Sequence, residues 1–286
     1  MQHGPVVRRR KLGAELRALR TSAGITSGEA ARLVGWHQSK VSRIETGTSG
    51  AKPADVRLLL DAYGVDDREL RELLVVLAGS EDAGGRHHWW HAYRGVLPPT
   101  YRDFISLESQ ASAMRTLETT VVPGLLQTPE YARAVTRAAV DGLSEERLDT
   151  LVEVRLARQD VLRADPPLEL NAVLDEAVLR REVGGPGVMA RQLTRLVEAA
   201  RLPHVRIQVL PFSAGAHIGV TGPFVIFSFP STSDLDVVVL DHLTSSLHLE
   251  RKEDLEAYTE AFNALLLHAL SPEDSLDYIA ATAAGA

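Results

Sequence analysis

Residues 13–47 read GAELRALRTSAGITSGEAARLVGWHQSKVSRIETG, and four positions within them predict two helices crossing at a tight turn. Ala31 is small enough for the helices to approach, where a longer side chain would hold them apart. Gly35, four residues on, takes the left-handed backbone of the turn without the clash that a Cβ would meet. Val41 and Ile44 lie ten and thirteen residues beyond Ala31, spaced to bury one face of the second helix against the first. A small residue, a glycine and two aliphatics at these offsets predict a helix-turn-helix.

The flanking apolar spacing predicts further short helices. Leu12, Leu16 and Leu19 mark the first, which stops near Gly24. Thr26 or Ser27 caps the second, running to about Val34, and the third covers Gln38 to Glu45 before Gly47. Pro53 suits the first turn of a fourth, with Val56, Leu59, Leu60 and Tyr63 inward. Asp66 or Asp67 opens a fifth, with Leu70, Leu73, Leu74 and Leu77. The prediction is a five-helix, all-α domain over residues 1–79.

On these residues, the segment is similar to the XRE, or lambda-repressor-like, family of DNA-binding domains. The resemblance implies that the helix from Gln38 enters the major groove of double-stranded DNA, its first turn facing base edges. Gln38 suits a bidentate pair with adenine and Ser39 bonds several bases, while Lys40, Ser42 and Arg43 reach bases or phosphates. Ser27, Trp36 and His37 are expected beside the DNA backbone. Many relatives carry Gln where this chain has Ser27, so a weaker or differently ordered contact is expected there. Arg20 and Glu45 match positions that often hold an internal ion pair, and with Ala31, Gly35, Val41 and Ile44 they form the structural set. Arg8, Arg9, Arg10 and Lys11 are adjacent and cannot share one helix face. They are either a solvated basic tail or an arm meeting phosphate or minor groove, adding salt-dependent affinity without specifying sequence.

Charge supports this division. The 286-residue chain carries −7 overall, but residues 1–57 carry +7 and the remainder −14, so only the head is expected to meet a polyanion. Hydrophobic residues at 45% and charged residues at 24% are ordinary globular composition, and the length predicts two domains. With no cysteine, disulfides, thiolate metal sites and a cysteine nucleophile are excluded, and a cytoplasmic location is expected. No apolar run reaches the ~18 residues of a membrane span. The basic N-terminus has no hydrophobic core behind it, so no signal peptide is expected.

GSEDAGG at 79–85 marks a boundary, and residues 80–100 are expected to join the domains. RHHWWHAYRGVLPPTY within and beyond it is too apolar for a free tether and is expected to pack on one of them. Across 101–286, helical pattern covers 104–117, 129–139, 144–163, 188–200 and 251–270. LELNAVL, VRIQVLP, FVIFSF and DVVVL are β-rich runs without regular strand–helix alternation, which predicts α+β. His87, His88 and His91 beside Trp89 and Trp90 are expected to pack rather than bind metal, and HExxH is absent.

LESQASAMRTLETTVVPGLLQTPEYARAV, RIQVLPFSAGAHIGVTGPFVIFSFP and LSPEDS resemble the C-terminal domain of actinobacterial XRE regulators, a WhiJ-like group also described as antitoxin-like. That resemblance implies a small protein partner encoded nearby. VVPGLLQTPEY reads as a loop exposing Leu125 and Leu126. With Phe212, His217 and Phe224 around a glycine-bearing connection, these are candidate ligand or partner contacts; the alternative is a long β-connection with a satisfied histidine. The expected function is a transcriptional regulator bound as a homodimer to a pseudo-palindrome, without cofactor, metal or catalysis. The rival is a self-cleaving repressor, with Ala–Gly bonds at 78–79 and 83–84, and with Ser213 and Lys252 as nucleophile and base. Lys252 stands at a charged helix start, whereas a lysine base needs a desolvated site.

Overall fold

The computed structural model describes residues 5–78, 89–93, 95–140, 142–229, 236–243 and 245–284, apart from the side chains of 5–8, 11, 69, 73, 76, 77, 91 and 99. The chain divides into two compact units between residues 88 and 89.

The first unit is helical: α1 (Pro5–Ser22), α2 (Ser27–Leu33), α3 (Gln38–Glu45), α4 (Pro53–Ala62) and α5 (Arg68–Ala78). Leu16, Val41, Val56, Leu59, Leu60 and Leu74 are completely buried in one core with Leu12, Ala30, Ala31 and Ile44. Helices this short are marginal alone, so burial at about 1.5–3 kcal/mol per large aliphatic side chain holds them. The basic run falls inside α1, because its helix begins at Pro5, so it is not an unstructured tail. Arg9 and Arg10 are partly buried, and the stem of Arg10 lies against Gly47, whose Cβ would come within 2.8 Å of Arg10 Cγ. The side chains of Arg8 and Lys11 lie outside the described residues.

Gly13 brings α1 into backbone contact with α3. A Cβ there would stand 2.4 Å from the carbonyl oxygen of Ile44 and 2.7 Å from that of Glu45. Alanine favours a helix interior by about 1 kcal/mol over glycine. Here the clash reverses that preference, because relieving it must move a packed helix. Gly13→Ala is expected to cost on the order of 1–3 kcal/mol in urea denaturation of the full chain.

The second unit is α+β, with six strands in the order β3-β2-β1-β4-β5-β6. It runs α6 (Pro99–Glu108), β1 (Ala113–Glu118), α7 (Pro129–Ala139), α8 (Glu145–Ala157), β2 (Glu169–Asp175), α9 (Glu176–Arg180), α10 (Pro186–Ala199), β3 (Val205–Leu210), β4 (Phe224–Ser228), β5 (Val237–Asp241), β6 (Ser246–Leu249), α11 (Lys252–His268) and α12 (Pro272–Ala284). β1, β2 and β3 are parallel, and β4, β5 and β6 continue the sheet antiparallel. Leu117 pairs with Val173 on one side and Phe224 on the other, and all three pack under Phe262 and Leu265 of α11. The helix expected over 104–117 stops at Glu108, and 113–118 is a central strand. Met114, Thr116 and Leu117 are all buried, so burial on both faces erased the alternation that marks a half-exposed strand. α9, β6 and α12 also lie outside the elements that the sequence pattern predicts. α12 is fastened beside β3 by Val209 N–H donating to Ser275 Oγ (2.9 Å), and Leu270 N–H donates to the Val209 carbonyl (2.8 Å).

Residues 89–100 belong to this unit. Trp90, 5% exposed, packs with Leu97, Ile105 and Val154. His87 and His88 lie outside the described residues, as does the side chain of His91.

The segment read as an exposed apolar loop points inward instead. Val122, Leu125 and Leu126 are fully buried, and three glutamine side chains hold the backbone of the segment. Gln127 Nε2 donates to the Val122 carbonyl (2.7 Å), Gln159 Nε2 to that of Gln127 (2.7 Å) and Gln192 Nε2 to that of Leu126 (2.8 Å). Phe224 is core as well, edge-on to Tyr258 and Phe262. Leu125, Leu126 and Phe224 are therefore core residues and not an exposed surface.

Candidate nucleic-acid interface

The turn between α2 and α3 is built from local hydrogen bonds. Thr26 caps α2 by accepting from Glu29 N–H (3.2 Å), and Glu29 Oε2 accepts from Thr26 N–H (2.8 Å), a reciprocal capping box. Gly35 adopts φ +70°, and the chain closes with Trp36 N–H donating to the Ala31 carbonyl at 2.7 Å. His37 caps α3, its Nδ1 accepting from Ser39 N–H at 3.3 Å. The His37 ring thus serves the helix start.

Helical spacing then sorts α3 into two faces. Val41, Ile44 and Glu45 point inward and are buried, whereas Gln38, Ser39, Ser42 and Arg43 are exposed. The inward face is locked by charge as well as packing. Arg20 donates to Glu45 through Nε at 2.7 Å and its terminal nitrogen at 3.0 Å, and also to the Ile25 carbonyl at 2.6 Å. Tyr63 adds a hydrogen bond to Glu45 at 3.2 Å. The Glu45 hydrogen bond raises the Arg20 pKa against the opposing effect of burial. Burial first, and the Glu45 charge second, raise that of Tyr63.

Ser27 takes part in ordering the exposed face of α3. Its Oγ accepts from Gln38 Nε2 at 3.0 Å, which pins one N–H of an amide whose residue is otherwise exposed and which has a second N–H and a carbonyl oxygen to offer. A donor beside an acceptor is the pattern that the adenine edge complements. Among the described residues no carboxylate pairs with Arg43. Lys40 differs: its ammonium lies 3.1 Å from Asp55 Oδ1 on α4 and 3.5 Å from the centroid of the Trp36 ring. Gly13 and Asp55 are two residues of this site that motif reading passed over. The first shows only as a glycine in mid-helix, and the second carries no signal in the sequence.

Residues 11–74 match a helix-turn-helix domain family model, and residues 101–281, more than half of the chain, match that of a domain of unknown function, DUF5753. The chain belongs to the DUF5753 family. No curated protein and no solved structure shows a significant match.

Within the DUF5753 domain, the two remaining candidates lie in the connection between β3 and β4. Phe212 is 60% exposed, and its N–H donates to Glu176 Oε2 at 2.9 Å. His217 is tucked in, Nδ1 accepting from Gly219 N–H at 3.1 Å and Nε2 lying 4.0 Å from Asp175 Oδ2. Ser213 is exposed in the same connection. Lys252 is 82% exposed at the start of α11, 3.7 Å from Glu256, so its amine is solvated. Among the described residues no helix is long and apolar enough to cross a membrane.

Proposed function

We propose that this DUF5753 chain is a sequence-specific transcriptional regulator that reads the major groove with α3. The observation that carries this is the division of α3 itself, with one face locked by Val41, Ile44 and the Arg20–Glu45 pair and the other presenting Gln38, Ser39, Ser42 and Arg43. Rigid support and a free polar face are what direct readout of base edges requires. The role is binding rather than catalysis. One such helix covers about half a turn of DNA, too little for specificity in a genome, so two copies acting on a pseudo-palindrome are part of the proposal. The DUF5753 domain is assigned the dimer contact and the response to a small protein partner or ligand, in the manner of the WhiJ-like, antitoxin-like group. Phe212 is the candidate contact for that partner.

The test is selection of randomised duplex DNA by the full chain, followed by sequencing. The expected result is a two-fold symmetric site with half-sites about 10 base pairs apart, or a multiple of that. No enrichment over input at low salt would overturn the proposal. Gln38→Ala should then lose about 1–3 kcal/mol of discrimination at one base pair per half-site, with thermal stability unchanged. Titrating single-base variants of the selected site measures that loss.

A further inference from the structure

The recognition helix carries two cations with different surroundings. Arg43 is exposed and has no carboxylate partner among the described residues. Lys40 is held twice, by Asp55 and by the face of Trp36. The Asp55 carboxylate cannot follow Lys40 outward, because its second oxygen accepts from Lys52 N–H at 3.1 Å and so fixes it in the first turn of α4. The pair is nevertheless reachable, with Lys40 38% and Asp55 21% exposed, so its placement bears on any polyanion that docks against α3.

We propose that Asp55 is a specificity-determining residue for DNA recognition: it keeps Lys40 as an internal brace between α3 and α4 and withholds that cation from the phosphate backbone. The proposal rests on the DNA-binding reading above. Attraction between lysine and phosphate is independent of sequence and strengthens every site alike. A cation neutralised within the domain removes that indiscriminate contribution. The amide and hydroxyls of Gln38, Ser39 and Ser42 keep theirs. Specificity is a ratio of affinities, so reducing the shared contribution on random DNA raises the ratio that a genome of competing sites demands.

The experiment compares the full-length wild type, Asp55→Asn and Asp55→Asn/Lys40→Met by fluorescence anisotropy on two labelled duplexes, one carrying the selected site and one of random sequence, across a salt series. The asparagine oxygen can still accept from Lys52 N–H, so the start of α4 is preserved. Asp55→Asn is expected to bind the random duplex several-fold more tightly at low salt. Its plot of log affinity against log salt should steepen by about 0.9, one extra phosphate contact. Its preference for the selected site should fall. The double variant, with neither charge, is expected to return to the wild-type slope. An unchanged slope in Asp55→Asn overturns the proposal. So does a double variant about 0.9 flatter than wild type, since Lys40 would then already touch phosphate in the native chain. If the wild type binds neither duplex at low salt, the DNA-binding reading fails and the role of Asp55 fails with it.

Discussion

Arg158→Met is expected to unfold the second unit at urea concentrations that leave the wild type intact. The Arg158 side chain is 7% exposed and that of its partner Glu108 1%, and the two meet as a fork at 2.8 and 2.7 Å. Arg158 also donates to Tyr101 Oη at 2.7 Å, and its guanidinium lies 5.0 Å from the ring centroid of Phe104. Burial opposes the charge on Arg158, but Glu108 and Tyr101 more than offset it and its pKa is raised. Gly124 faces the guanidinium so closely that a Cβ would touch it at 3.5 Å. Removing the arginine leaves the Glu108 carboxylate in a dry interior with its fork partner gone. That costs about 3–5 kcal/mol, set against a total domain stability of about 5–15 kcal/mol. Urea denaturation followed by far-UV circular dichroism measures it. The mechanism makes a second demand. Arg158→Met/Glu108→Leu should recover most of the loss, because apolar groups can replace a buried ion pair at little cost whereas a lone buried charge cannot persist. A double variant as unstable as the single one would show that the arginine acts through packing alone.

Glu45→Ala is expected to have a comparable effect on the first unit and to abolish DNA binding with it. The side chains of Glu45 and Arg20 are 4% and 12% exposed, and Tyr63 shares the same carboxylate. The cluster ties α1 to α3 and to the residue that ends α4. Truncation leaves the partly buried Arg20 guanidinium with only the Ile25 carbonyl and the buried Tyr63 hydroxyl without its acceptor, a loss of about 2–4 kcal/mol. At roughly 0.05–0.15 kcal/mol per residue, a helical unit of this size has only about 4–11 kcal/mol in all. The first unfolding transition should therefore shift far down the urea axis, or be absent at 37 °C. Gln38→Ala is the contrasting case, since that side chain is exposed and its loss should leave the transition in place. If Glu45→Ala retained wild-type stability yet lost binding, the carboxylate would have to act in recognition and not in support.

The helix-turn-helix was legible because its determinants are neighbours. Ala31, Gly35, Val41 and Ile44 act through helical spacing and one left-handed turn, and the Thr26–Glu29 capping box closes over three residues. Such preferences operate before distant chain arrives, so α3 runs from Gln38 to Glu45 as spacing alone predicts. The strand β1 is illegible in the sequence for the opposite reason. Its pattern depends on being covered from both sides, which only the assembled sheet supplies.

The same contrast governs the candidate site residues. Chain-local chemistry selected Gln38 as a base reader, but that its amide is anchored depends on Ser27, eleven residues away on another helix. Lys40 looks like any exposed cation until α4 delivers Asp55, fifteen residues on, and the charge is taken up inside the domain. Leu125 and Leu126 look like a sticky surface until Gln192, on α10, reaches the carbonyl of Leu126 from 66 residues away and the loop is drawn into the core. Periodicity and turn stereochemistry are short-ranged, so they chose the helices and the face that meets solvent. Burial, ion pairing and backbone satisfaction are properties of space, and folding alone determined which charges stay free and which apolar residues are hidden.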